Sequence, residues 1–254
     1  MLKLPEREKK PRKHGLTAIM DLGLPLGYLQ AYLKDYHQFI DIVKFGIGSA
    51  YIAPFIAEKV RLYKDFGVNV CFGGTLFEKF YSQEGSVDGY CDYLQSLDVD
   101  WIEVSEGTVH IDIGARVEII AAIHKKYKHF TVVSEVGSKS PEIADMMTER
   151  QWITEIKTLK DAGCSFVIIE ARATGTGGIF QSDGSLRVSI FNTIVQSCDC
   201  RDLIVEAPTH KSQAYFINRL GANVNLGNIA PDDVMVLESL RQGLRSETFF
   251  NTLV

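Results

Sequence analysis

The chain has 254 residues, 46% of them hydrophobic and 23% charged, with a formal net charge of −5. That is ample chain for one hydrophobic core. No apolar run approaches the roughly 20 residues that cross a bilayer, and the start MLKLPEREKKPRKHG has no apolar stretch behind its charges to read as a secretion signal.

Residues 1–15 hold six Lys/Arg against two Glu, so the rest of the chain is more acidic than the total suggests. An acidic body argues against nucleic acid as a main partner. The basic arm is expected to be a solvated tail, as charge runs usually are. From residue 16 onward, short β-rich apolar runs recur: LTAIMDLG (16–23), IDIVKFG (40–46), VNVCFGG (68–74) and WIEVSEG (101–107), then TVVSEVG (131–137), FVIIEAR (166–172), LIVEAP (203–208) and NVNLGNI (223–229). Nearly all are apolar at consecutive positions, as expected of parallel strands covered on both faces. Helical patterns fill the gaps. Residues 148–163 open with the capping box Thr148/Gln151, carry Trp152, Ile156 and Leu159 at helical spacing, and close at Gly163. Residues 210–220 carry Ala214, Ile217 and Leu220 before Gly221, and residues 231–243 begin with Pro231 and end at Gly243. Eight such units predict an α/β fold, a single (β/α)8 TIM barrel over 16–254 behind an arm of 1–15. An open doubly wound sheet is the alternative, because strand count does not show closure. Five cysteines (Cys71, Cys91, Cys164, Cys198, Cys200) without CxxC spacing read as reduced thiols in a cytoplasmic protein.

Each run ends in a polar residue or glycine: Asp21, Lys44, Gly73, Glu103, Glu135, Glu170, Glu206 and Asn225. In a parallel barrel those ends form the active-site face, and charges there are costly to desolvate unless paired or used. The pattern predicts an enzyme. Asp21, Glu103, Glu135, Glu170 and Glu206 need counter-charge, from a hard divalent ion, magnesium first, or from a network with Lys44, Lys139 and Arg172. Lys44 is expected to point into the barrel and Lys139 to sit just above strand five. There a lysine can form a Schiff base, bind phosphate, or act as a general acid once burial and positive neighbours lower its pKa. Arg172 suits bidentate binding of carboxylate or phosphate. The loops ATGTGGIF (173–180), with Gly177 and Gly178, and NLGNI (225–229), with Asn225 and Asn228, are candidate phosphate cradles. Neither is a dinucleotide or P-loop fingerprint. Glu78 reads either as a ligand or as an acid in the first turn of the helix after strand three, Cys71 as core, and His210 as a cap or surface residue.

At these strand ends the sequence resembles the phosphosulfolactate synthase family. The carrying motifs are VKFGIGS (43–49), FGGTLFEK (72–79), IEVSEGT (102–108), SEVGSK (134–139), VIIEARATGTGGI (167–179), IVEAP (204–208), NVNLGNI (223–229) and LESLRQGLRSETF (237–249), in order along nearly the whole chain. The resemblance implies a barrel that requires magnesium and adds sulfite to phosphoenolpyruvate, giving (2R)-phospho-3-sulfolactate for coenzyme M or sulfolactate formation. The family's proposed catalytic lysine matches Lys139. Placed on that reading, Lys139, Glu135 and Lys44 are the catalytic candidates and Glu103, Glu170 and Asp21 the metal candidates. Arg172, Ser105, Gly177, Gly178, Asn225 and Asn228 are the substrate-binding candidates. Assembly as a homo-oligomer, with a trimer as the guess, is implied as well. Two departures stand out: Ile47-Gly48-Ser49 replaces Trp-Gly-Thr, and Arg172-Ala173-Thr174 replaces Arg-Glu-Ser, removing a carboxylate near the mouth. Another phosphoenolpyruvate-using lyase or aldolase, and a non-catalytic stress-related barrel, are the rival readings.

Overall fold

The computed structural model of the chain describes residues 2–250. Residue 1 of the expected arm and residues 251–254 of the expected barrel lie outside that range. Each apolar run supplies one strand: β1 (Thr17–Asp21), β2 (Ile42–Phe45), β3 (Asn69–Phe72), β4 (Trp101–Val104), β5 (Thr131–Val136), β6 (Phe166–Ile169), β7 (Leu203–Glu206) and β8 (Leu226–Ile229). Neighbours pair in parallel in sequence order, and β8 closes on β1. The chain is a (β/α)8 barrel, and closure removes the open-sheet alternative.

Side chains alternate faces along a strand, so every strand serves two cores. One face meets the helices in the larger core, through Ile19, Val43, Phe45, Val70, Phe72, Ile102 and Val132 among others. The other face fills the barrel with Leu16, Ala18, Ile42, Cys71, Val133, Ile168 and Ile204, against which Trp101 and Phe166 stack. The inward position two residues further along β2, β4, β5, β6 and β7 is Lys44, Glu103, Glu135, Glu170 or Glu206. A charged layer therefore rests on a dry one. The helix Glu149–Asp161 begins at the Thr148/Gln151 capping box that its sequence signals, and His210–Leu220 begins at a second box, Thr209/Ser212. The last helical segment divides into a 3-10 turn, Pro231–Asp233, and an α-helix, Val234–Arg241. Among the described residues no helix is long and apolar enough to cross a membrane.

The basic arm is not the solvated tail that its charge suggests. Arg7 donates to the Gly15 and Ala222 carbonyls at 3.0 and 3.1 Å and pairs with Glu238 at 3.4 Å. Lys10 Nζ donates to the Ile40 carbonyl at 2.6 Å, and Arg12 pairs with Asp41 at 3.0 Å. Next to them the fully buried Arg241 donates to the Ala222, Val224 and Leu16 carbonyls at 2.6, 2.7 and 3.1 Å. These groups cap the end of the barrel where the strands begin. A cation that satisfies buried carbonyls and a buried carboxylate gains more there than in water.

Candidate active site

At the opposite end the strand termini converge. A cavity of about 200 Å³ is lined by Lys44, Glu103, Lys139, Glu170, Arg172, Glu206 and Asn228, with Met20, Gly73, Gly74 and Ala173 completing its wall. It is smaller than the roughly 300–1,000 Å³ typical of sites for drug-sized ligands. The two glycines after β3 make the room: a methyl group on Gly74 would lie 2.1 Å from Ser105 Oγ, and one on Gly73 3.5 Å from Lys44 Cε.

Two lysines divide the carboxylates. Lys44 Nζ lies 2.7 Å from Glu103 Oε2 and 3.3 Å from Glu206 Oε1. Burial opposes its charge, but Glu103 and Glu206 outweigh burial and hold the ammonium well above its ordinary pKa. Glu103 Oε1 also accepts from the Gly74 amide at 3.1 Å, and Glu206 Oε2 from the Ala171 amide at 2.9 Å. Burial nonetheless raises the Glu103 carboxyl, against the pull of Lys44.

Lys139 Nζ stands 3.7 Å from Glu135 Oε2 and 3.9 Å from Glu170 Oε1. Burial again opposes the charge and the two carboxylates override it, so the pKa of Lys139 is raised. This reverses the lowering that the sequence suggests. The nearest charges are negative, because Lys44, the only lysine close by among the described residues, is itself taken up by Glu103 and Glu206. Burial, followed by Glu206 and Glu135, lifts the Glu170 carboxyl well above the usual carboxylate range. Glu135 goes the other way: burial would raise it, but Lys139, a hydrogen bond from Glu170, Lys44 and Arg116 together outweigh burial and hold it low. No other residue donates a hydrogen bond to Glu135 or Glu170; the two carboxyls bond to each other, with the raised Glu170 as donor and Glu135 as acceptor. Arg172 is exposed at the rim, and among the described residues its guanidinium makes no ion pair.

Several sequence candidates lie elsewhere. Asp21 follows the inward-facing Met20 by one residue and so faces out of the barrel. It is fully buried, with Lys59 at 3.3 Å, the Tyr63 hydroxyl at 3.1 Å, and the Gly23 and Leu24 amides at 2.7 and 2.8 Å. Asn225 lies before β8 rather than at its end. Its amide accepts from Leu16 N at 3.0 Å and donates to the Leu203 carbonyl at 2.9 Å, at the closed end of the barrel. Asn228 does reach the mouth: in left-handed backbone (φ 59°) it donates to the Ala171 carbonyl at 3.1 Å. The Gly178 amide is no phosphate cradle, because it donates to the Ser138 carbonyl at 2.8 Å. Gly177 backs onto the same segment: a methyl there would lie 3.0 Å from the Lys139 carbonyl oxygen. Ser105 is buried beside the cavity and donates to Glu78 at 2.5 Å. Glu78 sits past the first turn of Gly74–Glu84 and binds amides rather than open space. Cys71 belongs to the dry layer, where burial pushes its thiol up. His210 pairs with Asp233 at the surface. Glu206, read from the sequence as a carboxylate held by metal or by a cation network, pairs with Lys44 and ties it to the segment after β6 through the Ala171 amide.

A closed (β/α)8 barrel with a ring of buried charge at the C-terminal ends of its strands defines a barrel enzyme. Comparison with known proteins narrows this. The family model for (2R)-phospho-3-sulfolactate synthase (ComA) matches residues 5–247. Phosphosulfolactate synthase from Bacillus subtilis (strain 168) is 40% identical over 250 residues, 98% of each chain. Phosphosulfolactate synthase from Methanocaldococcus jannaschii is 38% identical over 240 residues, 93% of this chain and 94% of that one. The chain belongs to the phosphosulfolactate synthase family, an enzyme family of the carbon–sulfur lyase type. Among solved structures, 3-hexulose-6-phosphate synthase from Salmonella typhimurium superposes with a TM-score of 0.59 at 11% identity, over 89% of this chain and 98% of that one. At that identity the likeness is one of fold alone.

Proposed function

We propose that this barrel adds sulfite to phosphoenolpyruvate, giving (2R)-phospho-3-sulfolactate. The observation that carries the reading is one small cavity lined both by Lys139, which is flanked by Glu135 and Glu170, and by Arg172, which makes no ion pair among the described residues. Both substrates are anions, and Arg172 offers the bidentate geometry that a phosphate or carboxylate takes. Sulfite forms the new bond to C3. The π electrons move through C2 into the substrate carboxylate, and C2 then takes a proton from the ammonium of Lys139. Solvent restores that proton. The raised pKa keeps Lys139 charged at neutral pH, so the proton is present when C2 needs it. Lys44, held between Glu103 and Glu206, fixes those two carboxylates and leaves Glu135 and Glu170 as the pair beside Lys139.

Magnesium belongs to this reading. Among the described residues no group of three or more His, Cys, Asp or Glu is set to hold a metal ion. The buried oxygens of Glu135 and Glu170 have no hydrogen-bond donor beyond each other and suit a hard cation that would replace the proton they share and take its other ligands from water and substrate. Bound there, it would stabilise the negative charge that develops on the substrate carboxylate. Asp21 has no place in that set.

The same reading holds residues 16–254 as one catalytic domain behind the arm of 1–15. It places the enzyme in a reducing cytoplasm, which suits its free thiols, and assembles it as a homo-oligomer, with the trimer to be tested by light scattering. The deciding experiment is phosphorus NMR of the purified protein with phosphoenolpyruvate, sulfite and magnesium, with and without chelator. A new phosphate-ester signal that requires both sulfite and metal is expected. Phosphoenolpyruvate left unchanged by well-folded protein rejects the reading.

A further inference from the structure

The ion pairs of Lys139 are long, at 3.7 and 3.9 Å, and contacts of that length do not aim an ammonium group. Packing does. A methyl group on Gly107 would lie 2.6 Å from Lys139 Nζ, 2.9 Å from its Cδ and 3.2 Å from its Cε. The Gly107 backbone thus runs along the outer half of the lysine side chain. Gly177 and Gly178 meanwhile hold the lysine's own backbone from the other side.

Gly107 is itself held on both flanks. Glu78 is 1% exposed. One of its oxygens accepts from Ser105 Oγ and from the Gly107 amide at 2.9 Å, and the other from the Thr108 and Val109 amides at 2.5 and 2.6 Å. Among the described residues it meets no cation. On the other flank, Glu106 pairs with Arg116 at 3.3 Å, and Arg116 donates to the Glu135 carbonyl at 2.7 Å. The loop after β4 is thereby tied to the strand that carries the partner of Lys139.

We propose that Glu78 and Gly107 are positioning residues for Lys139. Glu78 sets the loop, and Gly107 leaves the space in which the ammonium points at the mouth. This rests on Lys139 as the proton donor, and the test separates the two ideas. The Gly107 backbone is not left-handed, and the methyl of Gly107→Ala meets only the free end of a flexible side chain, so the variant should melt with the parent. Its kcat should fall about 100-fold, as misplacement of a reacting group by an ångström does, while KM for phosphoenolpyruvate stays within about threefold. Glu78→Gln keeps the side-chain size but turns an NH2 toward one pair of donors, which frees the loop. Labelling of Lys139 by acetic anhydride, read by peptide mass spectrometry without substrate, should then rise several-fold, and it should also change in Gly107→Ala. Parental kcat in Gly107→Ala, or Lys139 labelling unchanged in both variants, overturns the proposal. Parental turnover by Lys139→Ala would instead remove the proton-donor reading, with the labelling still deciding whether the two residues place the lysine.

Discussion

The barrel buries charge at both ends, and the two ends treat it differently. At the closed end, Arg241 reaches three carbonyls, Arg12 reaches Asp41, and Asn225 is occupied at both its oxygen and its nitrogen; the atoms left over there are single ones, Arg241 Nε, His14 Nδ1 and Asp100 Oδ1. At the mouth, Glu135 and Glu170 are equally buried yet no other residue donates to any of their four oxygens, and Arg172 has no ion-pair partner among the described residues. A buried charge with its partners in place is costly to break, because removing one partner strands the other. A buried charge kept without them costs stability, and a site retains it for something that binds. The difference between the ends lies in unfinished bonding, not in the amount of charge.

The largest effects should come from one substitution at each end, with opposite signatures. Lys139→Ala should lower kcat by about 10²–10⁴-fold, as loss of a general acid does, and shift the urea midpoint less than the closed-end substitution does. Arg241→Met should cost about 3–5 kcal/mol of stability, because it strands buried carbonyls, while kcat/KM per folded molecule stays parental. If Arg241→Met lowered kcat/KM as well, the division between the ends would fail. A smaller loss, about 2 kcal/mol, is expected for Arg12→Ala, which takes a charged hydrogen bond from Asp41; equilibrium unfolding measures it, and activity should not move. The remaining effect should be a gain, and it should depend on pH. The Glu170 carboxyl is raised in the folded protein, so the folded state holds that proton more tightly than the unfolded chain. Its burial is free below the unfolded pKa and costs progressively more as pH rises from there toward the folded value, by about 1.4 kcal/mol per pH unit climbed. In chelator-treated protein, Glu170→Gln should therefore melt with the parent at about pH 4 and above it at about pH 8. A difference that shrank as pH rose would contradict a raised Glu170 carboxyl.

The strands were legible because a parallel strand covered on both faces is mostly apolar at consecutive positions, and these runs are short and bounded by glycine or polar residues. The charged ring was legible as a set of strand ends, but which end faces inward depends on parity. Met20 is in register with Lys44 and Asp21 with Phe45, so Asp21 turns away from the mouth although it ends its strand as the other acids do. Pairing Asp21 with an aromatic core residue was the available signal. Asn225 reads wrongly from sequence because NVNLGNI begins before the strand does, and its polar start sits at the closed end. The arm misleads for another reason: the partners of Arg7 and Arg12 are Glu238 and Asp41, remote in sequence. The role of Glu78 is hidden likewise, since the amides it gathers belong to the next strand's loop.

The clasp between Arg7 and Glu238 joins residues 231 positions apart. During synthesis the arm leaves the ribosome first, yet its partners at Ala222, Asn223 and Glu238 are made among the last. Arg7 of a nascent chain therefore stays unmatched until the final helix emerges, although Lys10 and Arg12 can meet Ile40 and Asp41 early. Truncation near the C-terminus would uncover that basic segment and the Arg241 carbonyl cluster together, marking an incomplete barrel by the charge it exposes.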